Sequence, residues 1–229
     1  MGTTMTGISS MATRALLADL AAAYQAQHGV AVLMTSVGGV DAAKRIQAGE
    51  VFDLVVLASD AIDRLISSGQ VVAGSRVDLV HSGVAVAVPA GATWPDISSE
   101  DAVRNAVLAA RTIGYSTGPS GVQLAKLFDR WGIAAALRAR TVLAPPGVPV
   151  GALVARGEVD LGFQQLSELL HVPGIAIVGP LPPVIQINTT FSAGLCVVSS
   201  QAPAVRALLA YLTSPTSAAA KTKQGMDPA

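Results

Sequence analysis

The chain has 229 residues, 51% of them hydrophobic and 13% charged, with 15 Lys+Arg balanced by 15 Asp+Glu. This length builds one large domain or two small lobes. A formal net charge of zero, with no basic stripe interleaved with aromatics, excludes nucleic acid as an expected partner. No apolar run escapes Gly, Pro or charge for the length of a membrane span.

The opening "MGTTMTGISSM" has no basic stretch followed by an apolar one, so no signal peptide is expected. A mature periplasmic form with a replacement Met is favoured, because the first strand arrives almost at once; a cytoplasmic protein is the alternative. In chain order, "MTGI" reads as a strand before a helix near 11–27, where Leu16, Leu17, Leu20 and Tyr24 share a face. "VAVLMTSV" precedes a helix near 40–48, and "FDLVVLAS" precedes "DAIDRLISSG", which opens acidic and closes on Gly69. "SGVAVAVPA" is a β-rich run, followed by a polar loop and a helix near 99–109. "RTIGYS" precedes a helix near 120–131. "VPVGALVARG" reads as a helix, "VDLGFQ" as a strand and "QLSELL" as a helix. "IAIVGPLP" and "VIQINTTFSAGLCVVSS" read as strands, 203–213 and 215–224 as terminal helices, and the tail "KTKQGMDPA" as polar and fraying.

Strands alternating with short helices imply parallel sheets covered on both faces. "VHSGVAVAVPA" and "VIQINTTFSAGL" are the best candidates for strands passing between two lobes. Lobe one then comprises 1–83 and 190–229, and lobe two 84–189. The single Cys196, in the apolar "AGLCVVSS", reads as a buried thiol.

In such sheets ligands collect beyond the carboxyl ends of strands, where helix N-termini present free N–H groups. Four strand-to-helix turns share one chemistry. The first, "TGISSMATR", offers Gly7, Ser9 and Ser10. The second, "TSVGGVDAAKR", offers Ser36, Gly38 and Gly39. The third, "YSTGPSG", offers Tyr115, Ser116, Thr117, Gly118, Ser120 and Gly121. The fourth, "LGFQQLSEL", offers Gln164 and Gln165. Each reads equally as an N-cap or tight turn. Together they suit a small oxyanion or carboxylate held by neutral dipoles. Pro149, opening the "VPVGALVARG" helix, joins the candidate ligand-binding set. Arg14 lies in the first turn of a helix, where a cation opposes the macrodipole unless an anion is bound. Lys44 and Arg45 lie about a turn into the second helix and are further candidates.

The chain lacks a phosphate loop, a Gly-x-Gly-x-x-Gly after the first strand, a His-Glu-x-x-His, paired cysteines and a nucleophile elbow. No metal and no cofactor are therefore expected. His28 beside Gly29 reads as a solvated helix end and His171 as loop. His81, opening a crossing strand, reads as a partly buried structural histidine or a group near the ligand.

With these segments in view, nearly the whole chain resembles the molybdate-binding proteins of ABC importers. The matching stretches are "ALLADLAAAYQAQHGVAV", "DAAKRIQAGEVFDLVVLASD", "HSGVAVAVPAGA", "GPSGVQLAKLFDRWGI" and "GALVARGEVDLGFQQ". The resemblance implies an α/β, two-lobed type II periplasmic-binding-protein fold. Each lobe would be a mainly parallel sheet flanked by helices, with a ligand cleft between lobes. It also implies a monomer that binds a small oxyanion or carboxylate and delivers it to an ABC permease. The family typically offers serines from its first two turns, backbone N–H groups from the third and a late tyrosine. Here Gly38 and Gly39 replace the second serine cluster, and Gln165 stands near the tyrosine position. With Arg14, Lys44 and Arg45, that change favours a polycarboxylate over molybdate, since guanidinium pairs bidentately with carboxylate. Aconitate isomerases are similar to the same family, so the alternative is interconversion of trans- and cis-aconitate by a proton shift. His81 or Tyr115 would then be the catalytic base.

Overall fold

The computed structural model describes residues 4–145 and 147–229; Met1–Thr3, from the opening used above to argue against a signal peptide and for a replacement Met, and Pro146 lie outside the described residues. The first elements are β1 (Thr4–Ser10), α1 (Arg14–His28), β2 (Ala31–Val37), α2 (Gly39–Gln47), β3 (Leu54–Ala58), α3 (Ser59–Ser67) and β4 (Val77–Pro89). There follow α4 (Glu100–Ala109), β5 (Ile113–Ser116), α5 (Pro119–Arg130), α6 (Ala134–Leu137), β6 (Thr141–Ala144) and α7 (Val150–Ala155). The last are β7 (Leu161–Gln165), α8 (Leu166–Leu169), β8 (Ile175–Pro180), β9 (Asn188–Leu195), α9 (Ala202–Thr213), α10 (Ala218–Lys223) and β10 (Asp227–Pro228). The chain divides into two compact units, Met1–Ser82 with Thr190–Ala229, and Gly83–Thr189. It passes between them within β4 and again within β9.

In the first unit the sheet runs β2-β1-β3-β9. β1 is parallel to β2 and β3, and β3 is antiparallel to β9. The run Leu-Val-Val-Leu-Ala of β3 is apolar at every position because both faces are covered. Leu54 and Val56 pack with Met5, Leu16 and Leu20, while Val55 and Leu57 pack with Ile8, Ile62 and Leu65. Each such side chain contributes roughly 1.5–3 kcal/mol on burial. The Leu16, Leu17, Leu20, Tyr24 stripe of α1 is the buried face expected from its spacing, and the helix stops at Gly29, whose φ of 70° is left-handed. Glycine alone adopts that conformation without a Cβ penalty.

The tail departs from the expectation of fraying. β10 pairs antiparallel with β4, Asp227 opposite His81, and the Ala229 N–H donates to the Leu79 carbonyl at 3.2 Å. Met226 is buried in the core beneath, and Lys221 and Gln224 of the same polar stretch are buried too. Gly7 also differs from its expected place in a turn. It lies within β1, where a Cβ would stand 2.5 Å from the Met34 sulfur.

In the second unit the order is β4-β7-β5-β6, with β8 also paired to β4. β5 is parallel to β6 and β7; β4 is antiparallel to β7 and β8. Alternation in β4 sends Val84, Val86 and Val88 to a core with Ile113, Leu124, Phe128 and Phe163. Ala85 and Ala87 face Leu169 instead. Two elements, β6 and α6, are absent from the sequence-based reading, and the stretch expected as one long strand from 184 begins with a 3-10 turn at Pro183–Ile185. Among the described residues no helix is long and apolar enough to cross a membrane.

Candidate functional site

In the first unit, the carboxyl ends of β1 and β2 bring their hydroxyls together. Ser9 and Ser36 are register partners, and their Oγ atoms lie 2.8 Å apart. Ser9 is fully buried. Ser10 lies on the other face of the strand and caps the following 3-10 turn, its Oγ accepting from the Ala12 N–H at 3.4 Å. That same oxygen would lie 3.7 Å from a Cβ on Gly39. Gly38 is the N-cap of α2, its carbonyl accepting from Ala42 N–H at 2.9 Å. Ser9, Ser10, Ser36, Gly38 and Gly39 therefore cluster at one end of this sheet.

The cations expected nearby are placed differently. Arg45 is in the last turn of α2, where its guanidinium forms a bidentate pair with Glu50 and lies over the Phe52 ring, 5.5 Å from the centroid. The hydrogen bond to Glu50 holds the Arg45 pKa above its ordinary value. Lys44 shares that last turn and is exposed. A cation at the C-terminal end complements the macrodipole, so neither side chain is at the N-terminal end where the serines gather. Arg14 opens α1 and lines a groove of about 580 Å³ along that helix and β2, beside Ala18, Met34 and Ser36. Among the described residues Arg14 makes no ion pair.

His81 is exposed rather than partly buried, with Nδ1 3.0 Å from the Thr190 hydroxyl. It lies within β4, opposite Asp227 of β10. His28 is exposed with its ring against Tyr24, centroids 4.4 Å apart, and His171 is exposed.

In the second unit, the turn from β5 to α5 holds Ser116, Thr117, Gly118, Pro119 and Ser120. Gly118 is the N-cap and makes no side-chain cap bond, while Pro119 occupies the first helical turn, where its fixed φ and missing N–H suit the helix start. Gly121 has a steric reason for its place. A Cβ there would lie 1.7 Å from the Ser116 carbonyl oxygen, so the helix can descend onto the strand only with glycine. Tyr115 points its ring to the core, edge-on to Phe128 at 5.9 Å. Burial, and then the nearby Asp129 carboxylate, raise its phenol pKa; both disfavour a phenolate base.

The turns after β6 and β7 interlock. Pro149 is the N-cap of α7. The buried Gln164 accepts from the Gly151 N–H through Oε1 at 3.3 Å. Gln165, equally buried, donates to the Thr189 hydroxyl at 2.9 Å, while among the described residues its Oε1 has no hydrogen-bond partner. Glu168, in the first turn of α8, is absent from the sequence-based site reading. Burial pushes its carboxyl up to about 7. Among the described residues no group of three or more His, Cys, Asp or Glu could hold a metal ion.

Across residues 6–227 the chain matches the family described as bacterial extracellular solute-binding protein. The chain belongs to that family. Solute-binding proteins of known structure share its fold. The periplasmic molybdate-binding protein of Azotobacter vinelandii superposes with a TM-score of 0.81 at 20% identity, covering 97% of this chain and 98% of that one. The sulfate-binding protein SubI from Mycobacterium tuberculosis H37Rv gives 0.80 at 17% identity, covering 99% and 87%. These likenesses carry the two-lobed type II periplasmic-binding-protein fold. In sequence, this solute-binding protein is 41% identical over 232 residues to an aconitate isomerase from Pseudomonas sp., covering 99% of this chain and 88% of that protein.

Proposed function

We propose that this solute-binding protein takes a small polycarboxylate anion and shifts a proton along it, interconverting trans- and cis-aconitate. The 41% identity to the Pseudomonas aconitate isomerase over nearly the whole chain carries the reading. The candidate ligand-binding residues are Ser9, Ser10, Ser36, Gly38 and Gly39 in the first unit, and Ser116, Gly118, Ser120, Pro149, Gln164 and Gln165 in the second. These supply hydroxyl, carboxamide and backbone N–H donors at the ends of strands, which suit carboxylate oxygens. Arg14, free of an ion pair among the described residues, is the one expected cation that remains a ligand candidate. The proposed location is the periplasm, in line with a family of extracellular binding proteins.

The second reading is plain ligand delivery to an ABC permease, with a molybdate-like oxyanion or a carboxylate as cargo. The fold shared with the Azotobacter molybdate-binding protein favours it. A thermal-shift panel of molybdate, tungstate, sulfate, citrate and both aconitates tests the ligand, because a ligand that binds only the native state raises the melting temperature. NMR of the trans-aconitate sample tests turnover. A shift with tricarboxylates and appearance of the cis isomer is the expected result. A shift with molybdate alone overturns the polycarboxylate reading, and tricarboxylate binding without conversion leaves a receptor.

A further inference from the structure

One buried acceptor of the second unit is left unfilled at the carboxyl edge of its sheet. β7 lies between β4 and β5, with Gln165 opposite Val84, and Phe163 opposite Val86 and Tyr115. Side chains alternate along a strand, so Gln165 shares a face with Leu161 and Phe163, which pack with Leu124 and Phe128 of α5. Gln164 takes the opposite face, towards Gly151. On α5, Ser120 precedes Leu124 and Phe128 at four-residue steps and so belongs to the stripe that meets the sheet. It is 8% exposed and, among the described residues, makes no side-chain hydrogen bond. β5 and β7 are parallel, so the end of β7 and the start of α5 lie at one edge, with Gln165 and Ser120 on one face. Gln165 is 3% exposed. Its Nε2 donates to the Thr189 hydroxyl at 2.9 Å, and its Oε1 has no hydrogen-bond partner among the described residues. A buried acceptor left unfilled costs stability. Packing alone does not call for one, because a methionine would fill the same space against Phe163.

We propose that Thr189, a residue outside all four candidate turns, positions the Gln165 amide to receive one carboxylate of the ligand. The inference rests on the polycarboxylate reading of the site. A hydroxyl both donates and accepts, so the bond between Thr189 and Gln165 survives in either orientation of the amide. With Oε1 outward, the unfilled atom only accepts, and an ionised carboxylate, which also only accepts, is repelled. Half a turn about Cγ–Cδ lets the Thr189 hydroxyl donate to Oε1 and swings the NH₂ outward, where it donates to a carboxylate oxygen. The Ser120 hydroxyl, on the same face, supplies a further donor. A bound carboxylate thus completes the hydrogen bonding of Gln165, and Thr189 acts through the amide without touching the ligand. A ligand hydroxyl, by contrast, would be received with Oε1 outward. Thr189 is half-buried in β9, so the anchor comes from a different strand than the amide it holds.

The test is calorimetric titration of the purified chain with trans-aconitate and with citrate, for the wild type, Thr189→Val, Thr189→Ser and Gln165→Met. Thr189→Val keeps the shape and removes the hydroxyl, so trans-aconitate affinity should fall by about fivefold or more, and Thr189→Ser should restore it. Gln165→Met should weaken trans-aconitate by about tenfold or more. Its ligand-free melting temperature should hold or rise, because the unfilled acceptor is gone. Unchanged trans-aconitate affinity in Thr189→Val or Gln165→Met overturns the assignment and leaves the polycarboxylate reading intact. A ligand-free melting temperature lowered by several degrees in both, with no rescue by Thr189→Ser, makes the pair structural and overturns it too. Loss of citrate affinity with trans-aconitate untouched means that Oε1 stays outward for a hydroxyl, which overturns the turned amide. A wild type that binds no tricarboxylate removes the polycarboxylate reading and this role with it.

Discussion

Replacing Gly121 with Ala tests whether the opening of α5 is set by backbone approach or by ligand chemistry. The added Cβ would lie 1.7 Å from the Ser116 oxygen and 2.8 Å from its carbonyl carbon. Ordinary carbon–oxygen contact is about 3.3 Å or more, so helix and strand must separate by well over an ångström. The obstacle is backbone and cannot rotate away. Overpacking a core typically costs about 1–3 kcal/mol, and a main-chain clash belongs at the upper end, about 3 kcal/mol. With a urea m-value of about 2 kcal/mol/M, the midpoint should drop by about 1.5 M. Both tryptophans, Trp94 and Trp131, lie in the unit that contains α5. Trp131 is part-buried against Phe128, with its indole N–H donating to Glu100 at 2.6 Å. Intrinsic fluorescence therefore follows the affected unit directly. Gly118→Ala is the control, because a Cβ there meets only the Ser116 hydroxyl at an ordinary 3.5 Å; its midpoint should move by less than about 0.3 M. Equal midpoints for Gly121→Ala and the wild type would refute the steric argument and return Gly121 to a purely ligand-facing role.

Asp53 accepts from the Thr6 N–H at 2.8 Å, the Ser199 hydroxyl at 2.6 Å and the Gln201 amide at 3.3 Å. Asp53→Ala strands these donors and should cost about 3 kcal/mol; a melting temperature within a degree of wild type contradicts that. The Cys196 thiol, buried and pushed up to about 12 by desolvation and then by Asp53, should resist thiol reagents until the protein unfolds; prompt labelling of native protein would overturn its burial. Lys221 is buried at 2% exposure and its pKa is lowered by desolvation, so Lys221→Met should raise the melting temperature at neutral pH. A lower one would point to an unseen partner for the ammonium. Glu168 binds its proton more tightly folded than unfolded, so its contribution is present at pH 4–5 and lost as pH rises through about 7. Melting curves of wild type and Glu168→Gln should diverge over that window; parallel curves would sink the claim of a raised acid.

How much of this could be read from residues alone depends on whether a local pattern had one physical cause or two. The strands were legible because burial on both faces leaves nothing but apolar residues, as in Leu54–Ala58. The stripe of α1 was legible for the same reason, with a period of 3.6. β10 was not, since the tail before it is buried at Lys221, Gln224 and Met226, of which only Met226 is apolar. The serine and glycine turns were found at the strand ends, yet their glycines mean different things. Gly39 stands open beside the Ser10 hydroxyl, whereas Gly121 answers a carbonyl that no neighbouring letter announces. Arg45 was misplaced because its partners, Glu50 and Phe52, lie past the end of the helix, where helical spacing says nothing. Glu168 shows the converse. An acid in a first helical turn has a sufficient explanation in the macrodipole. What sets it apart is burial, which pushes its carboxyl up to about 7. The burial of one carboxyl is a tertiary fact, and no spacing within α8 announces it.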